Sequence, residues 1–348
     1  MDYTTLVNTI STIATNNPKQ ATMIWGPPGC GKSHAATQGL PKALGIPLEA
    51  VRMFRPSNHD PVDVTGLPVI QQPTTEDGVV RTTWVTPDFL HEVNALAEQH
   101  GRAVFVLDEL NQSTPMMFNA LNGILLDRCT PNWKAHDGVI IVATGNRQTD
   151  RAASNRMPSH TSNRVWHGDM ESDLKGWVRW AMGAGLPMWV VAFLQFRPGL
   201  LNAFDPDKRE NPTERTWEMV ARAAGRDLPS EMTLPLAKGF VGEGPAAELS
   251  AFRRVMEQMP NPDGVLLDPS NAPIPEGPSA MFAMCGAMAE RASKAMFENI
   301  ITYVSRMPTE FTVLAVRNCY QNKPEISQTR AFIEWVSANP KVFNDGND

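Results

Sequence analysis

The stretch "GPPGCGKS", from Gly26 to Ser33, determines how the rest of the sequence is interpreted. It fits the pattern G-x-x-x-x-G-K-[ST] and lies between a short apolar run, Ala21–Trp25, and a stretch typical of a helix. Glycines in such a loop let successive backbone N–H groups turn towards phosphate oxygens, and the start of the next helix adds positive potential. The sequence therefore predicts a phosphate-binding loop between a strand and a helix.

Two side chains of this loop have predicted roles in binding ATP and Mg²⁺. Lys32 is predicted to neutralise the β- and γ-phosphates, and the Ser33 hydroxyl is predicted to bind the magnesium ion. Cys30 fills a variable position of the motif and is interpreted as a small residue rather than a nucleophile. The predicted ATP-binding residues are Gly26, Pro27, Pro28, Gly29, Cys30, Gly31, Lys32, Ser33 and His34.

Further strand-like runs follow the loop along the chain. They lie at Ala50–Phe54, Ala103–Leu107 and Val139–Thr144, and helical stretches separate them. This alternation predicts an α/β fold with a mostly parallel sheet covered by helices. Short β-type runs around proline and glycine predict a hairpin within Val64–Val85, and a smaller hairpin or turn is expected at Cys129–Gly138.

After about residue 170, apolar residues three and four positions apart predict helices. Thr213 is predicted to cap one helix, Ala280–Arg306 to form a single long helix, and Thr309 and Ser327 to cap the last two. The proline-rich stretch Pro260–Pro278 resembles a linker. The predicted organisation has three parts, an α/β nucleotide-binding domain at 1–170, a helical domain at 171–260 and a helical C-terminal extension at 261–348.

The run "AVFVLDEL", from Ala103 to Leu110, is a buried strand that ends in two carboxylates. In an open parallel sheet, ligands bind at the carboxyl ends of the strands. Asp108 is therefore predicted to hold Mg²⁺, and Glu109 to polarise the water that attacks the γ-phosphate. Such a pair is often only a solvated turn, but its position after a phosphate loop favours the functional interpretation.

Composition limits the class of protein. The 348 residues are 42% hydrophobic and 20% charged, and a net charge of −6 argues against a surface that binds nucleic acid throughout, although a local basic channel stays open. The four scattered cysteines indicate free thiols in a reducing compartment. No signal peptide is evident, and the longest apolar run, Pro187–Phe196, is too short to span a bilayer. We therefore expect a cytoplasmic protein without a membrane partner.

With these motifs in this order, the chain resembles AAA+ ATPases, in particular the MoxR-like and dynein-related branch, from about residue 20 to about residue 220. "DPVDVTGLPV" with "VRTTWVTPDFL" is similar to the segment of this branch in which a hairpin interrupts a helix. "VIIVATGNRQ" is similar to the strand that ends in the sensor-1 asparagine, here Asn146. The resemblance implies a ring, usually hexameric, with ATP between subunits and with Asn146 and Glu109 orienting the attacking water.

The stretch "NRQTDRAASNRMPSHTSNRV", from Asn146 to Val165, holds four arginines. The resemblance implies that an arginine of the adjacent subunit completes each ATP site, and an arginine supplied in this way accelerates phosphoryl transfer by ~10³–10⁵. Arg164 is the first candidate for this residue and Arg156 the second. For Arg147 and Arg151, a surface position or a salt bridge to Asp150 or Asp169 is at least as good an interpretation.

The resemblance also implies that the helical domain is a lid. In it, Arg215 of "NPTERTWEMV" is similar to the sensor-2 arginine, which contacts the γ-phosphate from the same chain. The sequence departs from the family here, because Thr-Glu stands before the arginine where the family has a small residue or proline.

Three classes of function are consistent with these features. The first is an ATP-hydrolysing, chaperone-like ring protein that remodels or activates a protein partner, and MoxR-like relatives often act with a partner that carries a von Willebrand A domain with a metal-ion-dependent adhesion site. The second is a motor that acts on nucleic acid, which the acidic net charge disfavours. The third is a nucleotide-gated assembly scaffold with little turnover, which Glu109 and Asn146 disfavour.

Overall fold

The computed structural model describes residues 1–71, 81–150, 155 and 157–340. The chain divides into two compact units, Met1–Ser172 and Asp173–Asp348, and each has its own hydrophobic core. The assignment of 1–170, 171–260 and 261–348 to a nucleotide-binding domain, a lid and an extension stays a prediction.

The first unit contains a parallel sheet, as the sequence predicts. Its strands lie side by side in the order β2-β5-β8-β1-β9, while β3 pairs with β4 and β6 with β7 in antiparallel hairpins. Both predicted hairpins and all four predicted sheet strands are confirmed. The strands are β1 (Thr22–Trp25), β2 (Val51–Phe54), β3 (Leu67–Gln71), β4 (Arg81–Val85), β5 (Ala103–Leu107), β6 (Cys129–Thr130), β7 (Trp133–Lys134), β8 (Val139–Gly145) and β9 (Trp166–Asp169).

The helices of the first unit cover both faces of this sheet. Successive side chains of a strand point to opposite faces, so Ile24 and Val142 pack on one side with Leu6 and Ile10, while Met23 packs on the other. The helices are α1 (Tyr3–Asn16), α2 (Lys32–His34), α3 (Leu40–Leu44), α4 (Val62–Thr65), α5 (Asp88–His100), α6 (Pro115–Asn122) and α7 (Ser159–Ser162). A π-helical turn, Ala35–Gly39, joins α2 to α3.

The second unit is helical in its described part, and 42 buried side chains between Trp177 and Phe332 form one continuous core cluster. Thr213 caps α10 as predicted, because its side chain accepts a hydrogen bond from the backbone N–H of Thr216. The helices are α8 (Leu174–Gly183), α9 (Met188–Phe196), α10 (Glu214–Ala224), α11 (Ser230–Val241), α12 (Glu243–Gln258), α13 (Pro262–Leu267), α14 (Pro278–Glu290), α15 (Phe297–Val304), α16 (Thr309–Asn322) and α17 (Arg330–Ala338).

Some helix boundaries differ from the predictions. The single helix expected at Ala280–Arg306 is two helices, because the backbone and hydroxyl oxygens of Ser293 both accept from the backbone N–H of Met296 and begin a new turn. The last helix is capped by Thr329 rather than Ser327. The stretch expected to be a linker contains the short helix α13. Among the described helices, none has the length and apolar composition that a membrane span requires.

Candidate functional site

The predicted phosphate loop, acidic pair and asparagine all follow strands that lie next to one another. Strand β8 lies between β1 and β5 and is parallel to both. Since the carboxyl ends of parallel strands meet at one edge of a sheet, the segments after Trp25, Leu107 and Gly145 meet at this edge. We call it the carboxyl edge.

The backbone of the phosphate loop has the shape that the glycines of the motif allow. Gly29 and Gly31 have φ angles of 78° and 96°, in the left-handed region that favours glycine. At Gly26, a Cβ atom would lie 2.8 Å from the carbonyl oxygen of Met170, so this position has no room for a side chain. Cys30 is buried in the core, which agrees with its interpretation as a small packing residue.

Lys32 lies at the start of α2 with its ammonium group inside the loop. Its Nζ atom donates hydrogen bonds to the carbonyl oxygens of Gly26 and Pro27, at 2.8 and 2.7 Å, and to Oδ1 of Asn146 at 3.0 Å. Only 9% of the residue is exposed. A buried charge is costly unless it is hydrogen-bonded, and these three oxygens stabilise the ammonium group inside the loop.

Asp108 is the centre of the acidic site. Its Oδ1 atom accepts hydrogen bonds from the hydroxyls of Ser33 and Thr144, both at 2.7 Å, and its Oδ2 atom accepts from Nε of Arg55 at 3.1 Å. Burial is the largest single contribution and raises the pKa of Asp108, but the three hydrogen bonds and the charge of Arg55 together lower that pKa below its ordinary value. The site therefore holds a carboxylate anion at neutral pH.

Glu109 has an unusual backbone conformation. Its φ and ψ angles of 55° and 37° lie in the left-handed region, which costs a non-glycine residue about 1–3 kcal/mol, and residues strained in this way cluster at functional sites. Its backbone N–H donates to the Thr144 hydroxyl at 3.1 Å, so one threonine contacts both acidic residues. The Glu109 side chain is only partly buried, whereas Asp108 is almost completely buried.

The backbone N–H and carbonyl groups of Asn146 are both hydrogen-bonded to one side chain. The side chain of Asn111, which is fully buried, accepts from the Asn146 N–H at 3.1 Å and donates to the Asn146 carbonyl at 2.7 Å. The Asn146 side chain itself contacts Lys32. The predicted asparagine and the predicted phosphate-loop lysine are therefore direct neighbours.

Sequence reasoning did not identify Arg55, Thr144 and Asn111. Arg55 follows β2 directly and Thr144 is near the end of β8, so a search for polar residues at the ends of the predicted strands would have found both. Asn111 offers no such signal, because its partner Asn146 is 35 residues away along the chain.

The predicted arginines lie in different surroundings. Arg164 is exposed and precedes β9, at the edge where the strands begin, which we call the amino edge. In the register of β1 and β9, Thr22 faces Trp166 and Trp25 faces Asp169. With a rise of about 3.3 Å per residue along a strand, roughly 10 Å or more of sheet separates Arg164 from the phosphate loop of its own chain.

Arg147 belongs to the carboxyl edge but forms a structural contact there. Its Nε atom lies 3.3 Å from Oδ1 of Asp169, and its guanidinium donates to the carbonyl oxygen of Met170 at 2.8 Å. This salt bridge was one of the two interpretations left open by the sequence. Arg156 and Arg151 lie outside the described residues.

His34 and Arg215 complete the predicted set. The His34 ring is exposed and its Nδ1 atom is hydrogen-bonded to the Tyr3 hydroxyl at 2.8 Å, so the ring contacts α1. Arg215 belongs to the second unit, where its side chain is exposed on the first turn of α10. A sensor role for Arg215 stays a prediction.

Comparisons with known proteins add little to this geometry. No protein-family model matches the chain, and no curated protein does. A DNA polymerase III gamma subunit-related protein from Thermotoga maritima is 11% identical with a TM-score of 0.32, covering 97% of this chain and 91% of that one. NtrX from Brucella abortus is 14% identical with a TM-score of 0.36, covering 97% and 68%.

A third solved structure, PCH-2 of C. elegans, is 14% identical with a TM-score of 0.33 and covers 83% of this chain and 68% of that one. Likeness at this level does not establish a shared activity. The interpretation of the carboxyl edge therefore depends on the contacts of the chain's own residues.

Proposed function

We propose that the protein is a magnesium-dependent ATPase of the AAA+ type. One observation carries this proposal: the side chains of Lys32 and Asn146, and those of Ser33 and Asp108, are within hydrogen-bond distance although each pair is far apart in the sequence. A solvated glycine turn and a solvated acidic turn have no reason to meet in this way. An ATP site requires both the phosphate-binding and the acidic parts together.

The residues present fit a magnesium ion. The Ser33 hydroxyl and an oxygen of Asp108 are 2.7 Å apart, and Mg²⁺ prefers oxygen ligands of this kind, usually one or two from the protein and the rest from water and phosphate. Bound there, the ion would neutralise charge that develops on the β- and γ-phosphates. Ser33 and Asp108 are the residues that would hold it.

The other side chains have separate roles in this proposal. Lys32 exchanges its carbonyl partners for phosphate oxygens, since its ammonium group already lies inside the loop. Glu109 accepts the proton of the attacking water, and the amide of Asn146 helps to orient that water. Arg164 of a neighbouring subunit, with Arg156 as the alternative, stabilises the charge of the transition state, and Arg215 contacts the γ-phosphate from the second unit.

The biological role that we propose follows the MoxR-like resemblance of the sequence. The protein forms a ring, hexameric by that resemblance, that acts in the cytoplasm on a protein partner, one class of which carries a von Willebrand A domain. Two features support assembly: Arg164 is exposed, and it lies at the amino edge, away from the phosphate loop of its own chain. An ATPase that needs this arginine must receive it from another subunit.

Binding and hydrolysis of ATP test the proposal. The wild-type protein is expected to bind a fluorescent ATP analogue and to release phosphate from ATP when Mg²⁺ is present, while Lys32→Ala loses at least about 100-fold in affinity or rate. Lys42→Ala is the matched control, because Lys42 is an exposed lysine of the same helical segment. A wild-type protein that neither binds nor hydrolyses ATP, although folded and assembled, rules out the proposal.

A further inference from the structure

Arg55 is the one charged partner of Asp108 in the described structure, and the proposed chemistry gives it no role. It follows the last residue of β2, beside the strand that leads to Asp108. Its Nε atom lies 3.1 Å from Oδ2 of Asp108, and the side chains are 49% and 3% exposed. A half-exposed guanidinium therefore compensates the charge of a carboxylate that is almost completely buried.

The two oxygens of Asp108 have different partners. Oδ1 accepts from two neutral hydroxyls, those of Ser33 and Thr144, while Oδ2 accepts from the charged guanidinium of Arg55. A divalent cation that approaches this carboxylate therefore meets a positive charge already on Oδ2. The two cations compete, because both are attracted by the same buried anion and repel each other.

We propose that Arg55 is a positioning residue that occupies Asp108 while no divalent cation is bound and leaves it when the cation arrives. The inference depends on the proposed function, since it assumes that Asp108 is the magnesium ligand. Arg55 can leave once the cation compensates the buried carboxylate, because half of the arginine side chain already contacts solvent. The exchange sets the apparent affinity of the site for Mg²⁺ and keeps the buried carboxylate compensated in both states.

The segment that follows Arg55 also contacts the backbone next to Glu109. Arg55 begins the segment that contains the turn Pro56–Asn58, and this turn contacts the turn Leu110–Gln112, which directly follows Glu109. The backbone that follows Arg55 is therefore in contact with the turn that follows Glu109.

The first test measures the magnesium concentration that half-saturates the complex with a fluorescent ATP analogue. Arg55→Ala and Arg55→Gln are expected to lower this concentration about two- to fivefold, as removal of a partly exposed competing ion pair implies. Arg55→Lys keeps the charge and stays close to the wild-type value. Affinity for the analogue without Mg²⁺ is expected to change little in any of these variants.

Arg52→Ala is the matched control. Arg52 lies three residues earlier on β2 and forms a similar ion pair, with its Nε atom 3.0 Å from Glu92. This variant is expected to leave the half-saturating magnesium concentration unchanged. An unchanged or higher concentration for both Arg55→Ala and Arg55→Gln overturns the inference, because Arg55 would then be an anchor or a ligand of the nucleotide complex.

The second test uses Mg²⁺ alone and does not depend on ATP binding. In thermal unfolding without nucleotide, Mg²⁺ is expected to raise the midpoint of Arg55→Ala and Arg55→Gln by more than that of the wild type or Arg52→Ala. Equal effects in all four proteins contradict the exchange. A wild type that fails to bind ATP would reject the proposed function, while this second test would still decide whether Arg55 competes with the cation.

Discussion

Two of the predicted functional residues with a charge are buried at one edge of the sheet, and a third is exposed at the other. At the carboxyl edge, Lys32 and Asp108 are buried, and each is hydrogen-bonded to three groups of its own chain. At the amino edge, Arg164 is an exposed residue whose backbone carbonyl accepts a hydrogen bond from the side chain of Gln20. The charges at the carboxyl edge are compensated within the chain, whereas the side chain of Arg164 has no hydrogen-bond or ion-pair partner among the described residues.

In the proposed ring, this difference in burial corresponds to a difference in role: the carboxyl edge binds a nucleotide of its own chain, and the amino edge acts on the nucleotide of a neighbour. Groups that work together on one nucleotide within a chain are preorganised by mutual hydrogen bonds, as electrostatic catalysis requires. A group that works on the nucleotide of a neighbour must instead be exposed on the surface of its own subunit. Substitutions at the two edges should therefore have different effects on binding, catalysis and stability.

The largest expected effect is at the amino edge. Arg164→Ala should lower the rate of ATP hydrolysis by ~10³–10⁵ if this residue supplies the transition-state charge in trans. Binding of a fluorescent ATP analogue and the stability of the subunit should stay close to wild type, since the side chain is exposed. The matched control is Arg52→Ala, and a hydrolysis rate for Arg164→Ala equal to that of the control would remove Arg164 from the proposed site.

At the carboxyl edge, Glu109→Gln should lower hydrolysis by ~10²–10⁴, because glutamine cannot accept the proton of the attacking water. ATP binding should persist, since glutamine has nearly the shape of glutamate and the substitution leaves the hydrogen bonds of Lys32 to Gly26, Pro27 and Asn146 and those of Asp108 to Ser33, Thr144 and Arg55 in place. The measurement is phosphate release together with analogue binding. Undiminished hydrolysis would show that another group acts as the base.

Asn111→Ala should affect stability as well as activity. Two buried backbone groups of Asn146 lose their partners, which costs about 1–3 kcal/mol in the free energy of unfolding and loosens the asparagine beside Lys32. Urea denaturation measures the loss, with Asn8→Ala, an exposed asparagine of α1, as the control. If Asn111→Ala is as stable and as active as the control, the hydrogen bonds from Asn111 to Asn146 contribute neither to stability nor to activity.

The smallest expected effect concerns Tyr3 of α1, whose hydroxyl is hydrogen-bonded to His34 of α2, the helix after the phosphate loop. Burial raises the pKa of Tyr3 to about 12 from 10.0. The folded state therefore binds more protons than the unfolded state between these values, and the contribution of Tyr3 to stability is lost as pH rises from 10 towards 12. Between about pH 10 and pH 12, the free energy of unfolding should fall more steeply for wild type than for Tyr3→Phe. Equal slopes would contradict this.

The central parts of the fold and site were predictable from the sequence. The runs that form β1, β5 and β8 are almost entirely buried and therefore mostly apolar, whereas β2 contains Arg52 and an exposed Met53. The phosphate loop is recognisable because its chemistry demands glycines and a lysine at fixed spacing. Asp108 was identified because a carboxylate directly after such a strand must lie at the carboxyl edge.

The remaining features depend on tertiary contacts. Strand β9, with the sequence Trp-His-Gly-Asp, was missed because it is short and polar and pairs only with β1 at the side of the sheet. The break between α14 and α15 was missed because the spacing of apolar residues continues across it. The new turn depends on a hydrogen bond that the Ser293 hydroxyl accepts from the backbone N–H of Met296. Asn111 and Arg55 acquire their importance from residues that are distant in the chain.

The measurement that tests the relation between the two edges most directly is ATP hydrolysis by mixed subunits. Arg164→Ala and Glu109→Gln proteins, each nearly inactive alone, are combined in equal amounts and allowed to assemble. Activity should recover to as much as about a quarter of wild type, because one in four random neighbour pairs joins an intact carboxyl edge to an intact Arg164. A mixture that assembles but stays as inactive as the separate variants would contradict the account.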